Sequence, residues 1–222
     1  MNVGVLLAAG ASTRMGAPKA SVKWKGRSFL ASGVLALWGA CDTVVVVLGS
    51  KAREVRAAAE AEFAELVGRG ELRDLAHAPG RTRARGLEVH FIVNAGWKRG
   101  MLSSAQAGLS AALRMKPSSL LVLPVDHPEV RTATVTQLGA AMEEALGAFG
   151  PRERGGFPYA LVPRRRGRRG HPLALSPGLA RAIAGDRAAR DLSDAVRRHA
   201  RLVGYQDVDD PGIVRNRNTP KG

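Results

Sequence analysis

A chain of 222 residues with 45% hydrophobic content is long enough for one well-cored domain. No apolar run approaches the roughly 18 residues of a membrane-spanning helix, so the sequence predicts no membrane span. The N-terminus lacks the basic segment and small-residue cleavage site of a secretory signal. Cys41 is the single cysteine, which excludes an intramolecular disulfide and makes a cytoplasmic location the simplest expectation.

The net charge of +15 favours an anionic partner. The basic residues form separate clusters at 81–85, 152–169 and 181–201 rather than one stripe, and few aromatic residues lie among them. We therefore do not expect nucleic acid to be the main partner. Attraction of a polyanionic substrate explains part of the charge equally well.

Apolar runs alternate with amphipathic segments along the first two thirds of the chain. Strands are predicted at 3–9, 43–48, 89–93 and 119–124, and helices at 29–39, 51–67, 103–115 and 132–146. This alternation predicts an α/β fold with a doubly wound, mostly parallel, Rossmann-like sheet.

The remaining third contains shorter elements. Residues 68–86 are polar and Arg-rich, which indicates a solvated surface insertion, and residues 147–156 have the composition of a loop. An edge strand is predicted at 159–163, helices at 176–184 and 188–199, and a last strand at 202–207. No internal repeat is present, so residues 1–222 are expected to form a single domain.

The most informative segment for function is 5–19, Val-Leu-Leu-Ala-Ala-Gly-Ala-Ser-Thr-Arg-Met-Gly-Ala-Pro-Lys. An apolar strand stops at Gly10, and Arg14 and Lys19 are the only charges in the loop that follows. Backbone N–H groups of such a loop and two cations can together bind phosphate, and small residues let the backbone approach a ligand closely. The spacing fits neither the P-loop nor the dinucleotide fingerprint. An ordinary strand–loop–helix corner is the alternative.

This segment resembles the signature L-A-[AG]-G-x-S-x-R-M-G-x-x-K of the MobA/MocA-like nucleotidyltransferases, which attach a nucleotide to molybdopterin. The resemblance implies a sheet of the nucleotide-diphospho-sugar transferase (GT-A-like) type. It also implies that residues 1–128 form the nucleotide-binding half and 129–222 the acceptor side. Arg14 and Lys19 would act on the triphosphate. The nucleotide-binding residues that it implies in this segment are Leu7, Ala8, Ala9, Gly10, Ser12, Arg14, Met15, Gly16 and Lys19.

A second motif follows the predicted strand at 119–124, where Asp126 lies within Leu-Pro-Val-Asp-His-Pro. In open α/β sheets ligands bind beyond the carboxyl ends of the strands, and one carboxylate plus substrate phosphates suits Mg²⁺. A turn or helix-capping role is the alternative for Asp126. The family has L-P-x-D-x-P here, which implies that Asp126 is a metal ligand. We expect no chemical role for His127.

A third motif, Asn-Ala-Gly-Trp-Lys-Arg-Gly-Met-Leu-Ser-Ser at 94–104, leads from a strand end into a helix N-terminus. Ser103 or Ser104 could simply cap that helix. The segment is similar to the family pattern N-x-x-W-x-x-G-M-x-S-S. This likeness implies that Asn94, Ser103 and Ser104 lie beside the nucleotide.

A fourth motif, Gly-Arg-Arg-Gly-His-Pro at 167–172, resembles the family's G-x-R-G-H-P on the acceptor side. Arg169, Gly170 and His171 would then bind the acceptor, with a solvated basic loop as the alternative. Residues 185–190 are similar to G-D-x-G-A-R, with Ala188 where that pattern has glycine.

The main departure from the family lies near the end of the sequence. Many relatives have D-[IV]-D-T-P, whose first Asp completes the metal site, whereas this chain has Asn216 and Asn218 in place of both carboxylates. An amide oxygen can still bind a hard cation but brings no charge. Asn216 is therefore predicted as a second metal ligand beside Asp126.

The resemblance implies a Mg²⁺-dependent nucleotidyltransferase that moves NMP from an NTP to a phosphate-bearing, molybdopterin-like acceptor and releases pyrophosphate. Ala9 favours CTP over GTP, because cytidylyltransferase relatives show L-A-A-G and a methyl group narrows the base pocket. The Asn-rich tail points towards the guanylyl type, so the two indicators disagree. Three alternatives stay open: a sugar-phosphate or isoprenoid-precursor nucleotidylyltransferase, a non-catalytic basic binding protein, and a relative that delivers cofactor to a molybdenum hydroxylase or its chaperone.

Overall fold

The structure is a computed structural model and describes residues 1–10, 18–71, 88–149 and 156–217. Four predicted site residues, Ser12, Arg14, Met15 and Gly16, lie outside these ranges, as do Asn218 and most of the predicted insertion at 68–86.

The described residues contain these strands: β1 (Asn2–Ala8), β2 (Lys23–Trp24), β3 (Arg27–Ser28), β4 (Thr43–Leu48), β5 (Glu88–Val93), β6 (Ser119–Pro124), β7 (Tyr159–Arg165), β8 (Arg168–Arg169), β9 (Leu173–Leu175) and β10 (Leu202–Asp207). The central sheet has the strand order β10-β7-β9-β6-β1-β4-β5, with β8 beside β7. Strands β1, β4, β5 and β6 pair in parallel, while β9 pairs antiparallel with β6 and β7. A small antiparallel hairpin, β2–β3, is separate from this sheet.

Helices cover both faces of the sheet. They are α1 (Phe29–Trp38), α2 (Ala52–Gly68), α3 (Met101–Leu113), α4 (Thr132–Gly147), α5 (Pro177–Gly185) and α6 (Leu192–His199). Buried residues of α1, α2 and α4 form one core layer against the sheet, and those of α3, α5 and α6 form the other. Strands β1, β4 and β6 are buried on both faces, as parallel strands with helices on each side must be. The predicted doubly wound, mostly parallel sheet is confirmed.

Helix α3 packs unusually close to the sheet at Gly108. A Cβ atom at this position would lie 2.4 Å from Val5 Cγ1 and 2.7 Å from Val47 Cγ2. The absence of a side chain therefore allows α3 to sit directly on β1 and β4, which fixes where its N-terminus meets the ends of those strands.

The predicted position of one strand within the sheet is wrong. The strand predicted at the sheet edge, 159–163, is β7, and it pairs with β10 on one side and β9 on the other. The chain returns after α6 and adds β10 outside β7 in parallel, so β10 is the edge strand of the sheet.

No helix among the described residues is long and apolar enough to cross a membrane.

The helix predicted from 188 begins later, at Leu192. Asp186 accepts hydrogen bonds from the N–H groups of Ala188 and Ala189, and Asp194 accepts one from Arg190 N. These side-chain bonds hold the backbone of 188–190 in a turn, so the helix starts only after its cap at Asp191.

Candidate active site

The strand order reverses between β1 and β6. From β1 the chain moves outwards through β4 to β5, and α3 then returns it to β6 on the other side of β1. The backbone continues this pairing past the strand ends, where Val125 N donates to Leu7 O at 3.0 Å. A reversal of this kind opens a crevice at the carboxyl ends of the strands, which is where ligands bind in open α/β sheets.

A cleft of about 300 Å³ lies at this reversal, and we call it the nucleotide cleft. Its walls come from the end of β1, the 3₁₀ turn Lys19–Ser21, the start of α3 and the residues after β6. The lining residues are Leu7, Ala8, Ala9, Gly10, Lys19, Trp97, Lys98, Gly100, Met101, Ser104, Pro124, Val125 and Asp126. Its volume lies at the lower end of the range for small-molecule sites.

Lys19 and Asp126 stand beside each other in the cleft. Lys19 Nζ lies 3.7 Å from Asp126 Oδ2, and the two side chains are 19% and 17% exposed. Pro18 directly precedes the turn that carries Lys19, and Asp126 comes two residues after β6. The structure thus brings together the predicted phosphate-binding cation and the predicted metal carboxylate. At this distance they form an ion pair and not a close hydrogen bond.

The end of β1 supplies an apolar wall of small residues. Ala8 and Ala9 are buried and line the cleft together with Leu7, whereas Gly10 is exposed at its mouth. Loop 49–50 lies tight against this wall, because a Cβ at Gly49 would lie 2.4 Å from Ala9 O. Methyl groups and backbone therefore form this part of the surface that a ligand would meet.

The turn between β5 and α3 is held by a buried polar network. Asn94 Nδ2 donates to Ser103 Oγ at 3.0 Å and Ser104 Oγ at 3.1 Å, and Asn94 Oδ1 accepts from Gly96 N. Ser103 Oγ also lies within hydrogen-bond distance of the carbonyls of Gly96 and Gly100. Of the three predicted residues only Ser104 lines the cleft; Asn94 and Ser103 hold the turn that supports it.

Gly100 is essential to this turn. Its φ of 100° and ψ of −175° belong to a backbone conformation that residues with a side chain rarely adopt. The chain reverses there, and α3 begins at Met101 with its first residues facing the cleft.

Six cleft residues were not predicted as site residues: Trp97, Lys98, Gly100, Met101, Pro124 and Val125. The first four lie within the 94–104 motif and the last two directly precede Asp126, so the family patterns were the available signal. Trp97 packs against the loop after β4, where a Cβ at Gly49 would lie 2.7 Å from its Cβ. Lys98 adds a second cation to the cleft.

The predicted acceptor residues Arg169, Gly170 and His171 do not form one cluster in the structure. His171 faces His127, the neighbour of Asp126, with ring centroids 5.0 Å apart. Gly170 lies against the backbone of Ile213, which accepts a hydrogen bond from His171 N at 2.9 Å. Arg169 points instead over the Tyr205 ring, 5.0 Å from its centroid. None of these three residues is among those that line the nucleotide cleft.

The His171 ring is held neutral by its surroundings. Burial, with a smaller contribution from the positive charge that His127 can carry, lowers the pKa of His171 to about 3. Its Nδ1 atom is buried and finds no hydrogen-bond partner among the described residues. His127 is itself anchored, with Nδ1 3.2 Å from Gly212 O and Nε2 3.9 Å from Asp126 Oδ1.

The segment after β10 closes the far side of Asp126. Arg217 N donates to Asp126 O at 2.8 Å, and Arg217 Nε donates to Glu129 Oε1 at 2.8 Å. The Arg217 guanidinium also stacks on the Trp24 ring, 3.3 Å from its centroid. Asn216 is exposed and directly precedes this anchor, so its backbone is held next to Asp126. No spacing rule could have paired Arg217 with Trp24, which lies 193 positions earlier.

The residues around Asp126 fit a divalent cation that shares its ligands with a substrate. No group of three or more His, Cys, Asp or Glu side chains suited to a metal occurs in the described ranges. Asp126 alone would not hold such an ion tightly. Mg²⁺, however, is usually bound by one or two carboxylates together with substrate phosphates and water.

A Rossmann-like sheet with a cleft at its strand reversal that carries two lysines and one carboxylate is typical of a nucleotide-binding α/β enzyme. The model of the MobA-like NTP transferase domain matches residues 4–202. The chain therefore belongs to the MobA-like NTP transferase family and is a nucleotidyltransferase of that family, which confirms the predicted family and enzyme class.

Similar proteins of known sequence or structure agree with this family. Nicotine blue oxidoreductase of Paenarthrobacter nicotinovorans is 34% identical over 194 residues, which cover 84% of this chain and 78% of that protein. Rv0371c of Mycobacterium tuberculosis superposes with a TM-score of 0.65 at 21% identity, covering 99% and 94% of the two chains. Molybdopterin-guanine dinucleotide biosynthesis protein A of Archaeoglobus fulgidus gives 0.58 at 20% identity, covering 100% and 94%. The structural likenesses establish the shared fold.

Proposed function

We propose that this enzyme transfers a nucleoside monophosphate from an NTP to a phosphate-bearing acceptor and releases pyrophosphate, with Mg²⁺ bound at Asp126. The observation that carries the proposal is the 3.7 Å approach of Lys19 and Asp126 in one cleft at the strand reversal. One group can bind anionic phosphate oxygens and the other can bind the cation that accompanies them.

The chain's own residues would act mainly by positioning and by charge. In phosphoryl transfer an acceptor phosphate oxygen attacks the α-phosphorus, and the bond from that phosphorus to pyrophosphate breaks. Lys19, with Arg14 from the same loop, would bind the oxygens on which negative charge accumulates as pyrophosphate leaves. No covalent enzyme intermediate is required. Cys41, the single thiol, is fully buried in the core and takes no part.

The cation would be held by Asp126 and by the amide oxygen of Asn216. When bound, it supplies Lewis-acid stabilisation of the phosphate oxygens. A second structure of Rv0371c, a manganese complex with a TM-score of 0.58 at 20% identity, supports the choice of a divalent metal. The missing negative charge at Asn216 leaves Asp126 as the dominant ligand.

Ala9 supports CTP as the preferred nucleotide. Its methyl group is 4% exposed and belongs to the small-residue wall of the cleft, where a base would pack. A methyl group in place of the glycine of guanylyltransferase relatives leaves less room for a purine. Discrimination by one methyl group amounts to about 1–3 kcal/mol. The preference should therefore be about tenfold rather than absolute.

A molybdopterin-like compound is our proposed acceptor. It would approach from the side of His171, where a neutral imidazole and the backbone of 212–213 adjoin Asp126 through His127. The name of the Archaeoglobus structural neighbour agrees with this acceptor class.

The direct test measures pyrophosphate release by the purified protein with each of CTP, GTP, ATP and UTP, with and without molybdopterin. We expect release only with acceptor, fastest with CTP, and abolished by EDTA. Ala9→Gly should raise kcat/KM for GTP relative to CTP. Release that is equally fast with all four nucleotides would overturn the base preference, and release that is not increased by molybdopterin would overturn the proposed acceptor.

A second candidate function is supported by the 34% identity to nicotine blue oxidoreductase. The nucleotide cleft could equally hold a nucleotide-bearing redox cofactor, because Trp97, Met101 and Val125 give it apolar walls for a second ring. A reduced nicotinamide dinucleotide would pass two electrons and a proton to an oxidised aromatic dye.

The two functions differ in their need for a divalent metal. Incubation with NADH or NADPH and a quinonoid dye should be followed by loss of the dihydronicotinamide absorbance. Turnover in EDTA that persists in Asp126→Asn and yields no pyrophosphate would establish the oxidoreductase. No oxidation above the rate without protein would exclude it for that dye.

A further inference from the structure

A second cavity, of about 710 Å³, lies between the start of α3 and the turn that follows α5. Three arginines line it: Arg99 from the 3₁₀ turn before α3, and Arg187 and Arg190 from the turn after α5. The mechanism proposed above uses none of them. We call this site the basic cavity.

The one acid in the wall of the basic cavity does not cancel these charges. The Asp186 side chain is 4% exposed, and His199 and Arg198 lie 2.7 Å and 3.2 Å from its Oδ2. Backbone N–H groups of Ala188 and Ala189, with the nearby His199 and Arg198, lower the pKa of Asp186 to about 2. Its negative charge is therefore already compensated from within the protein.

Nearby carboxylates offset the positive charges of these three arginines only in part. Arg190 Nε lies 3.5 Å from Asp194 Oδ2, but Arg197 binds the same carboxylate more closely, at 2.6 Å. Arg99 and Arg187 make no ion pair with a carboxylate in the described part of the chain. The cavity thus presents two or three guanidinium groups and no competing anion.

The frame of the basic cavity is rigid. Gln106 Nε2 donates to Ile183 O at 3.1 Å and also to Asp186 O, which ties α3 to the end of α5. The Arg99 guanidinium folds across Gly96, where a Cβ atom would lie 2.6 Å from Nη2. Gly96 therefore permits the placement of this arginine at the cavity wall.

The same short segment forms a wall of both sites. Lys98 and Ser104 face the nucleotide cleft, while their neighbours Arg99 and Ser103 face the basic cavity. A ligand in the basic cavity would therefore contact the reverse side of the turn that positions Ser104.

We propose that the basic cavity binds a small phosphate-bearing anion at a site separate from the nucleotide cleft. Guanidinium groups match phosphate oxygens in charge and in bidentate geometry, and they remain charged at all working pH values. The cavity volume suits a ligand larger than a single phosphate. Two sources supply this chemistry: a free anion such as pyrophosphate, or an anionic group of the acceptor other than the phosphate that attacks the nucleotide.

The test is isothermal titration with inorganic pyrophosphate, which needs no turnover. The double variant Arg99→Gln/Arg187→Gln removes two exposed cations of the basic cavity, and Lys19→Gln weakens binding in the nucleotide cleft. Arg114→Gln is the matched control, because this exposed arginine lies at the other end of α3, about 20 Å away by helix rise. Circular dichroism spectra verify that each variant is folded.

We expect two pyrophosphate sites in the wild type, one of which weakens about tenfold in the double variant while persisting in Lys19→Gln. Identical isotherms for the wild type, the double variant and Arg114→Gln would overturn the proposal. A raised KM for acceptor in the double variant, at unchanged kcat, assigns the site to an anionic group of the acceptor other than its attacking phosphate. Kinetics that differ from the wild type only when pyrophosphate is added assign it to a free anion. Both of these results support the site.

Discussion

Lys19 and Asp126 are separated by 107 positions in the chain, yet Lys19 Nζ lies 3.7 Å from Asp126 Oδ2. The pair joins the loop after β1 to the loop after β6, on the two sides of the strand reversal. Each charge offsets the other. A bound nucleotide and its cation would compete with this ion pair, because phosphate oxygens would bind Lys19 and the cation would bind Asp126.

Lys19→Gln should weaken nucleotide binding. A charge-assisted hydrogen bond contributes about 1.5–3 kcal/mol, so KM for the NTP should rise about tenfold or more. Lys23→Gln removes an equal charge from an exposed residue that does not line the nucleotide cleft, and it should leave KM unchanged. Equal effects of the two substitutions would mean that overall charge, rather than a contact at Lys19, attracts the nucleotide.

Asp126→Asn should abolish most activity while leaving the fold intact. Loss of the carboxylate removes the dominant cation ligand, and we expect kcat/KM to fall at least about a hundredfold. The side chain lies in the cleft and not in the core, so urea unfolding should change by less than about 0.5 kcal/mol. Asp209→Asn, at a 91% exposed side chain, is the control. A fully active Asp126→Asn enzyme would remove the metal from the proposed mechanism.

Gly108→Ala should destabilise the protein, because the new methyl group would overlap Val5 and Val47 beneath α3. Overpacking of this kind costs about 1–3 kcal/mol. The comparison is Gly68→Ala at the end of α2, where no described atom lies within 4 Å of the added Cβ. Urea unfolding followed by circular dichroism measures both. A neutral Gly108→Ala would show that α3 can move away from the sheet at little cost.

His171 should remain neutral throughout the physiological range. Its folded-state pKa of about 3 lies below the usual value of about 6.5, so the unfolded chain binds a proton that the folded chain does not. Between these two values, stability therefore rises with pH. Proton NMR should show ring signals of His171 that do not shift between pH 5 and 8. In urea-unfolded protein the same ring signals should shift with pH, which provides the reference. The His171 signals are assigned as those that are absent from the spectrum of His171→Gln.

Asp186 should stabilise the fold in a pH-dependent manner. Its folded-state pKa of about 2 lies below the unfolded value of about 3.9, so its contribution is complete above pH 4 and disappears as the pH falls to about 2. Asp186→Asn should therefore be less stable than the wild type at pH 7, with a smaller difference at pH 3. Glu54→Gln, at a 70% exposed side chain, should show no such convergence. A difference that is independent of pH would mean that Asp186 acts through its hydrogen bonds and not its charge.

Much of the sheet could be predicted because its central strands are rich in consecutive apolar residues. The predicted limits of β4, β6 and β10 agree with the structure, and β4 is bounded by Asp42 and Gly49. Strands β2, β3, β8 and β9 contain only two or three residues, which is too few to show the alternation of apolar and polar residues that identifies a strand. Their pairing depends on neighbours distant in the chain, which is why the edge was assigned to β7.

The residues of the candidate site also differ in how far the sequence alone could predict them. Ala8 and Ala9 lie at the end of β1 and Asp126 lies two residues after β6, so local sequence and the fold rule place them together. Lys19 lies further from a strand end, and the family signature was the signal that predicted it. Ser103 and Ser104 could not be told apart, because one position along a helix decides which side chain faces the cleft and which supports the turn. Arg217 and Trp24 meet only through the folded topology.

The anchoring of Arg217 on Trp24 and Asp126 has a consequence for biosynthesis. Both partners leave the ribosome well before Arg217 is made, so the wall that faces Asp126 is the final part of the site to form. A nascent chain ending near residue 200 already contains β1, β4, β5 and β6, but it lacks this wall. Catalytic competence would thus appear only after residues 216 and 217 have themselves been made and have left the ribosome.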